Sequence, residues 1–305
     1  MKKLFKVSTS LLLTSVLTIS LLPAAYAEEN LLPEEEYSSQ LEANLPPGNP
    51  AMEETYDKYL IDHRYPQEVI DMYDIDQKRE LYDLGGIYIG GSGIVNTLIE
   101  APINSDVDIP NYARPLALQD NNFTHNVSAS RIRSSKRGLV DIKLNYNWDW
   151  KYVPIFTGKD TYAVGWTGGF IVRGDTAQQV YKVFSYNYES EGKAYTRYDH
   201  INNGAGVGWD VNLVKSTIID GVPKIIDRHK GWSGVKFQKG HDNSKNTEVI
   251  GIVGDYWHFS KKVNPSLSWN TKDGVSISID ATDNYTKATT DTSKVNFTHS
   301  DYIVQ

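Results

Sequence analysis

The sequence predicts an all-β fold, an antiparallel β-sandwich or a distorted barrel, preceded by a short acidic α-helical segment. From Gly86 onward, many short runs place an apolar residue at every second position, which is the period of a β-strand. Clusters of Gly, Asn and Asp separate these runs, as turns separate antiparallel strands. We divide the chain into a signal peptide (1–27), a disordered acidic linker (28–50), a short helical segment (51–85) and a β-sandwich domain (86–305).

The N-terminal stretch has the three parts of a secretory signal peptide. Lys2, Lys3 and Lys6 precede an apolar run over 7–22, and Ala-Tyr-Ala at 25–27 provides small residues for cleavage. We therefore expect cleavage after Ala27 and an extracellular, secreted protein. The 305 residues include no cysteine, which fits export by a bacterium and excludes disulfides and thiol nucleophiles.

Residues 28–83 differ sharply in charge from the rest of the chain. They contain 16 acidic and 4 basic side chains, a net charge of −12, whereas residues 84–305 have a net charge of about +2. Within this acidic region, apolar residues at helical spacing predict two short helices that meet at Tyr65-Pro66 and end at Gly85-Gly86. A nearly neutral β domain argues against nucleic acid as a partner.

The most regular β pattern spans Val140 to Tyr152. Every even position in this stretch is apolar or aromatic, and every odd position between them is polar or charged. Buried between two sheets, the aromatic residues would form a core wall. On an open face they would stack on sugar rings or other flat ligands. We expect a core wall with a ligand-facing end, whose predicted stacking residues are Trp148, Trp150, Tyr152, Trp166 and Trp209.

The same stretch permits a membrane interpretation. Thirteen alternating residues exceed the usual strand length and match a strand that crosses a bilayer. A hairpin over 140–172, closed by the turn Thr-Gly-Lys-Asp at 157–160, would then be the inserting element of a pore, with residues 28–83 as its restraint.

A basic cluster, RIRSSKR, lies just before this strand. Its charged residues are Arg131, Arg133, Lys136 and Arg137. Four positive charges in seven residues are predicted to bind an anionic polymer or an anionic lipid headgroup, or to dock the acidic segment. The alternative is a solvated hairpin end, or a loop open to proteases.

Motifs for metal, cofactor and catalytic sites are weak, and we predict neither metal nor cofactor. The oxygen-rich loop at 240–248 would need Gly and Glu where Thr247 and Val253 stand to match an EF-hand, so we interpret it as a turn. No HExxH or GxSxG motif occurs. Asp149, Asp210 and Asp255 lie beside tryptophans and are the candidates for a glycan-active hydrolase, whereas Glu189 and Glu191 lie beside a Gly-Lys turn and are interpreted as solvent charges; the overall pattern disfavours an enzyme.

Three functions follow as hypotheses. The first is a secreted β-sandwich that binds a cell-wall polymer, a glycan or a partner protein. The second is a β-hairpin pore-forming toxin or membrane-active, bacteriocin-like protein. The third is the aspartate-dependent hydrolase.

Overall fold

A computed structural model describes residues 48–97, 99, 122–134, 136, 138–154, 156–185, 188–189, 193–219, 221–240, 247–272, 274–280 and 285–298. The predicted signal peptide, nearly all of the predicted linker, Arg137 and most of the 240–248 loop lie outside these residues. In the described part, no helix is long and apolar enough to cross a membrane.

A 3₁₀ turn (Pro50–Met52) and three helices precede the strands: α1 (Glu53–Asp62), α2 (Gln67–Met72) and α3 (Ile75–Asp83). The strands are β1 (Ile87–Gly91), β2 (Val95–Thr97), β3 (Phe123–Ile132), β4 (Leu139–Trp150), β5 (Lys159–Trp166), β6 (Ile171–Ser185), β7 (Tyr188–Glu189), β8 (Lys193–Thr196), β9 (His200–Asn202), β10 (Gly206–Asn212), β11 (Ser216–Ile219), β12 (Val222–Gly240), β13 (Thr247–Phe259), β14 (Ser266–Asn270), β15 (Ser276–Asp280), β16 (Tyr285–Thr289) and β17 (Ser293–Thr298).

The strands form antiparallel sheets, which confirms the predicted fold class. Among the described residues, a large sheet of nine strands follows the order β1-β3-β4-β12-β6-β7, with β2, β8 and β11 attached at its margins. A second sheet of six strands follows the order β16-β13-β5-β10-β9, and β17 also pairs with β13. Strands β14 and β15 pair separately as a small hairpin.

The helical segment, defined here as α1 to α3, contains one more helix than the sequence predicted. The second predicted helix is interrupted at Tyr73, whose backbone is extended. Asp74 then starts α3 with a capping box, because its side chain accepts from the backbone of Gln77 while the Gln77 side chain accepts from the backbone of Asp74. The pattern Asp-x-x-Gln was visible in the sequence as a helix start.

The main core lies between the large and second sheets. Tyr146, Trp148 and Trp150 of β4 point toward the second sheet, where they meet Tyr162 and Tyr256. Glycines on neighbouring strands leave room for these large rings. A Cβ on Gly231 would lie 2.4 Å from the Trp148 ring, so no other residue fits at that position without displacing the indole.

The predicted 140–172 hairpin does not form in this conformation. Strand β4 pairs with β3 and β12 in the large sheet, whereas β5 pairs with β10 and β13 in the second sheet. The two strands therefore face each other across the core. Apolar alternation placed both strands against the core, but it carries no information about which strand each one pairs with.

Candidate functional site

The aromatic residues predicted to stack on a ligand lie mainly in the core. Trp148, Trp150, Trp166 and Trp209 are fully buried, and only Tyr152, with 51% of its surface exposed, reaches solvent. The four indoles have no free ring face in this conformation, so the structure corrects the stacking surface to a core wall. The indoles are buried because the layer that contains them lies between the two sheets.

A buried polar network anchors the far end of this core wall. The Trp150 Nε1 group donates to the Tyr256 hydroxyl at 3.1 Å, and that hydroxyl donates to Asp160 Oδ2 at 2.8 Å. His258 Nδ1 lies 2.9 Å from the same oxygen. Burial raises the pKa of Tyr256 well above its ordinary value, so the phenol stays protonated as a donor. The network pairs the Trp150 indole N–H, the Tyr256 hydroxyl and the Asp160 carboxylate, and its members are buried away from solvent.

The residues of the basic cluster at 131–137 differ in their exposure to solvent. Arg131 is buried, while Arg133 and Lys136 are exposed. The backbone N–H of Arg133 donates to the carbonyl of Leu84 at 3.0 Å, which ties this loop to the end of the helical segment. Arg131 therefore does not share the exposed surface of Arg133 and Lys136, and because Arg137 lies outside the described residues, the anion site stays a prediction.

Each aspartate considered for hydrolysis has its own structural partner. Asp149 pairs with Arg228, and Asp255 pairs with Lys287 at 2.8 Å. Burial alone would raise the pKa of Asp210, but hydrogen bonds from His200 and Thr161 lower it below its ordinary value. Asp255 is almost fully buried, and burial raises its pKa. Nothing in these contacts assembles a carboxylate pair at an open cleft.

The polar residues of β4 lie on the outer face of the large sheet and are buried as well. We call this outer surface the polar face; its central residues are Asn126 and Ser128 of β3, Asp141, Lys143, Asn145 and Asn147 of β4, Lys230, Trp232 and Lys236 of β12, and Lys182 of β6. Lys143 and Asn147 are as inaccessible as the core tryptophans, although the sequence pattern placed them toward solvent. The helical segment covers them.

Polar contacts join the helical segment to the polar face. The Tyr65 hydroxyl donates to Ser130 Oγ at 2.8 Å, and the hydroxyls of Tyr73 and Ser128 lie 2.7 Å apart. Lys143 Nζ lies 2.5 Å from Glu80 Oε2. Burial lowers the pKa of Lys143, and the Glu80 carboxylate opposes that effect.

A second surface was not recognised in the sequence. Strand β11 and the start of β12 form a hairpin over 216–225, here called the apolar hairpin, that continues beyond the end of β4. Ile225, Ile218 and Val222 are 81%, 66% and 49% exposed. Cross-strand pairing of Ser216 with Ile225 puts the two isoleucines on one face. The sequence STIIDGVPKIID indicates this hairpin, because a pair of apolar residues stands on each side of a turn.

In the described residues, no group of three or more His, Asp or Glu side chains is placed to hold a metal.

The chain has only weak similarity to known proteins. No family model and no curated protein matches the sequence. Among solved structures, the chain is weakly similar to Clostridium perfringens delta-toxin, with a TM-score of 0.28 and 8% identity over 59% of this chain and 86% of that one.

A second solved structure gives a similar result. It is the Clostridium perfringens NetB toxin in the membrane inserted form, with a TM-score of 0.27 and 8% identity over 58% of this chain and 92% of that one. Similarity at this level carries no argument about function.

Proposed function

We propose that the protein is secreted and binds the surface of a lipid bilayer through the apolar hairpin. The observation that carries the proposal is the exposure of Ile225, Ile218 and Val222 on one projecting β-hairpin. Isolated exposed apolar residues are common on soluble proteins, but a cluster at the tip of a projecting element marks an interaction site.

The charges near the hairpin favour an anionic bilayer as the occupant. Lys215 immediately precedes β11 and is exposed, and Lys224 lies between the apolar positions of β12. Lys151 and the exposed Tyr152 follow β4 at the same end of the large sheet, because Trp150 pairs with His229. Apolar residues flanked by lysines, with an amphipathic tyrosine nearby, are typical of an element that lies in a membrane interface.

The expected energy is large enough for measurable binding. Moving an exposed isoleucine side chain into an apolar environment stabilises it by about 2 kcal/mol. Two isoleucines would therefore contribute about two to three orders of magnitude in affinity. Each basic residue near an anionic surface adds about 1 kcal/mol.

Co-sedimentation with vesicles of anionic and of zwitterionic lipid tests this proposal. The variant Ile218→Ser/Ile225→Ser should lose at least tenfold in affinity for anionic vesicles and remain folded. The matched control is Ile171→Ser, because Ile171 is 60% exposed but pairs with Gln238 at the other end of β12. Equal binding by the hairpin variant and the wild type would refute a lipid-contacting hairpin.

Dye release from the same vesicles measures whether binding leads to permeabilisation. Release that depends on Ile218 and Ile225 would extend the proposal to a membrane-active protein. Binding without release would restrict it to attachment at the surface.

A further inference from the structure

We propose that the polar face is a binding surface for an anionic, hydroxyl-rich polymer, and that the helical segment occupies it as an intramolecular substitute for that polymer. This surface is separate from the apolar hairpin, and the proposal does not depend on lipid binding. It rests on the arrangement of lysines on the sheet, on the acidic side chains that meet them and on buried amides without partners.

Lysines stand directly opposite each other at two places on the polar face. Lys143 of β4 is the cross-strand partner of Lys236 of β12, and Lys230 of β12 is the partner of Lys182 of β6. Like charges at opposed positions repel and destabilise a sheet unless an anion lies between them. A sheet face with two such pairs is therefore built to receive negative charge.

The helical segment supplies that negative charge. Glu80 of α3 contacts Lys143, and Asp74 lies 3.3 Å from Lys182 Nζ and 3.5 Å from Lys230 Nζ. One carboxylate thus meets each lysine pair. The polar face also carries Asp141 and Asp149, and Asp149 is already paired with Arg228. The four lysines and this arginine leave the face with a net positive charge.

Two amide groups of the polar face have no hydrogen-bond partner among the described residues. Asn126 and Asn147 are cross-strand partners and fully buried, yet neither side-chain oxygen nor nitrogen has a hydrogen-bond partner among the described residues. Buried amides normally find partners, because leaving them unpaired is costly. A ligand with hydroxyl groups beside its negative charges would pair with both amides, whereas the helical segment pairs with the lysines and with Ser128 and Ser130.

An aromatic side chain completes the surface. Trp232 is the cross-strand partner of Asn147 and is buried, with Lys143 Nζ 6.0 Å from the centre of its ring. Lysines, amides and an indole on one sheet are the groups that bind the acid, hydroxyl and ring faces of an anionic glycan.

The helical segment is packed in a way that permits its release. Its buried apolar side chains, including Leu60, Val69, Ile70 and Leu81, pack with one another in a cluster separate from the main core. The helical segment contacts the sheet through hydrogen bonds and ion pairs, and through the packing of Tyr65 against Tyr88 of β1. Displacement of the helices therefore exposes a polar sheet face and leaves the main core intact.

Hydrogen exchange measured on the full wild-type chain tests the proposal without any substitution. The probe is polygalacturonate, a carboxylate glycan, at low ionic strength, with uncharged dextran as the comparison. We expect polygalacturonate to bind and to speed amide exchange in α1 to α3, while exchange in β5 and β13 is unchanged. Dextran should have neither effect.

Calorimetry on two variants tests the carboxylates of the helical segment and the lysines of the polar face separately. Asp74→Asn/Glu80→Gln should raise affinity for polygalacturonate at least tenfold, because the competing carboxylates are removed. Lys182→Gln/Lys230→Gln should lower it at least tenfold. The matched control is Lys261→Gln/Lys262→Gln, which alters two exposed lysines away from the polar face and should leave affinity unchanged.

The proposal is overturned by any of three results. One is absence of polygalacturonate binding by both the wild type and Asp74→Asn/Glu80→Gln. Another is binding that leaves exchange of α1 to α3 unchanged. The third is an equal loss of affinity in the Lys261→Gln/Lys262→Gln control, which would mean that binding depends on total charge alone.

Discussion

The two faces of strand β4 are equally inaccessible to solvent but are buried by different kinds of contact. On the core side, Trp148 and Trp150 pack against aromatic residues of the second sheet. On the polar side, Lys143 and Asn147 are buried, and the helical segment contacts this face through an ion pair from Glu80 to Lys143 and a hydrogen bond between Tyr73 and Ser128. Opening the apolar side would expose its rings to water, which is unfavourable. Opening the polar side can exchange its hydrogen bonds and ion pairs for those of a ligand.

This difference implies two levels of stability in one molecule. The β-sandwich should unfold only as a whole, because its rings interlock across both sheets. The helical segment should open separately, at a lower cost in free energy.

Truncating the core wall should have the largest effect. We expect Trp148→Ala to lower the free energy of unfolding by about 3–5 kcal/mol, because it leaves a large cavity between the sheets. Denaturant unfolding followed by tryptophan fluorescence measures this loss. The control is Tyr152→Ala, at the exposed end of the same ladder, for which we expect a change within about 0.5 kcal/mol. Similar losses in both variants would contradict the distinction between core and surface.

Breaking the charge contact on the polar face should have a smaller and more local effect. Glu80→Gln leaves Lys143 buried without its carboxylate, which costs about 3 kcal/mol. We expect the loss in the helical segment, seen as faster exchange or proteolysis within residues 53–83, while the β-sandwich keeps its unfolding midpoint. Pairing the change with Lys143→Met should recover most of the loss. A global loss of stability would show that the helices and the sandwich unfold together.

Acid should lower the free energy of unfolding, because His229 is buried as a neutral imidazole. Burial lowers the pKa of His229 from 6.5 to about 4, although its contact with the Val214 carbonyl opposes the effect. Below pH 6.5 the unfolded chain binds a proton that the native imidazole does not, so stability is full above that pH and falls toward pH 4. The fall attributable to His229 is up to about 3 kcal/mol. His229→Gln should flatten this part of the stability profile; an unchanged profile would contradict a neutral buried imidazole.

An exposed ion pair should contribute least. Lys58 and Asp62 lie one turn apart on α1, 2.9 Å from each other and open to solvent. We expect Asp62→Asn to change the free energy of unfolding by no more than about 0.5 kcal/mol, because water screens the pair. If thermal unfolding showed a loss as large as that of Glu80→Gln, burial would not be what distinguishes the two pairs.

Periodicity was sufficient to predict the fold class and the alternation of β4, but not what lies against each face. The side chains of Lys143 and Asn147 alternate correctly, yet the helices that bury them come from a segment more than 50 residues earlier in the chain. Pairing is also non-local: β4 and β5 are consecutive, but they belong to different sheets. The exposed hairpin at 216–225 was missed because an apolar strand pattern does not reveal whether its face is covered.

Native-state hydrogen exchange on the unmodified chain measures the stability of the helical segment and of the β-sandwich separately. We expect amides of α1 to α3 to exchange through a local opening, at a free energy well below that of amides in β4, β5 and β13. Exchange of the helical amides should also depend less steeply on denaturant than exchange of the strand amides, because the opening exposes the small apolar cluster of the helical segment and not the main core. If the helical amides exchanged at the same free energy as the strands, and with the same denaturant dependence, the two faces of β4 would be sealed alike and the account would be wrong.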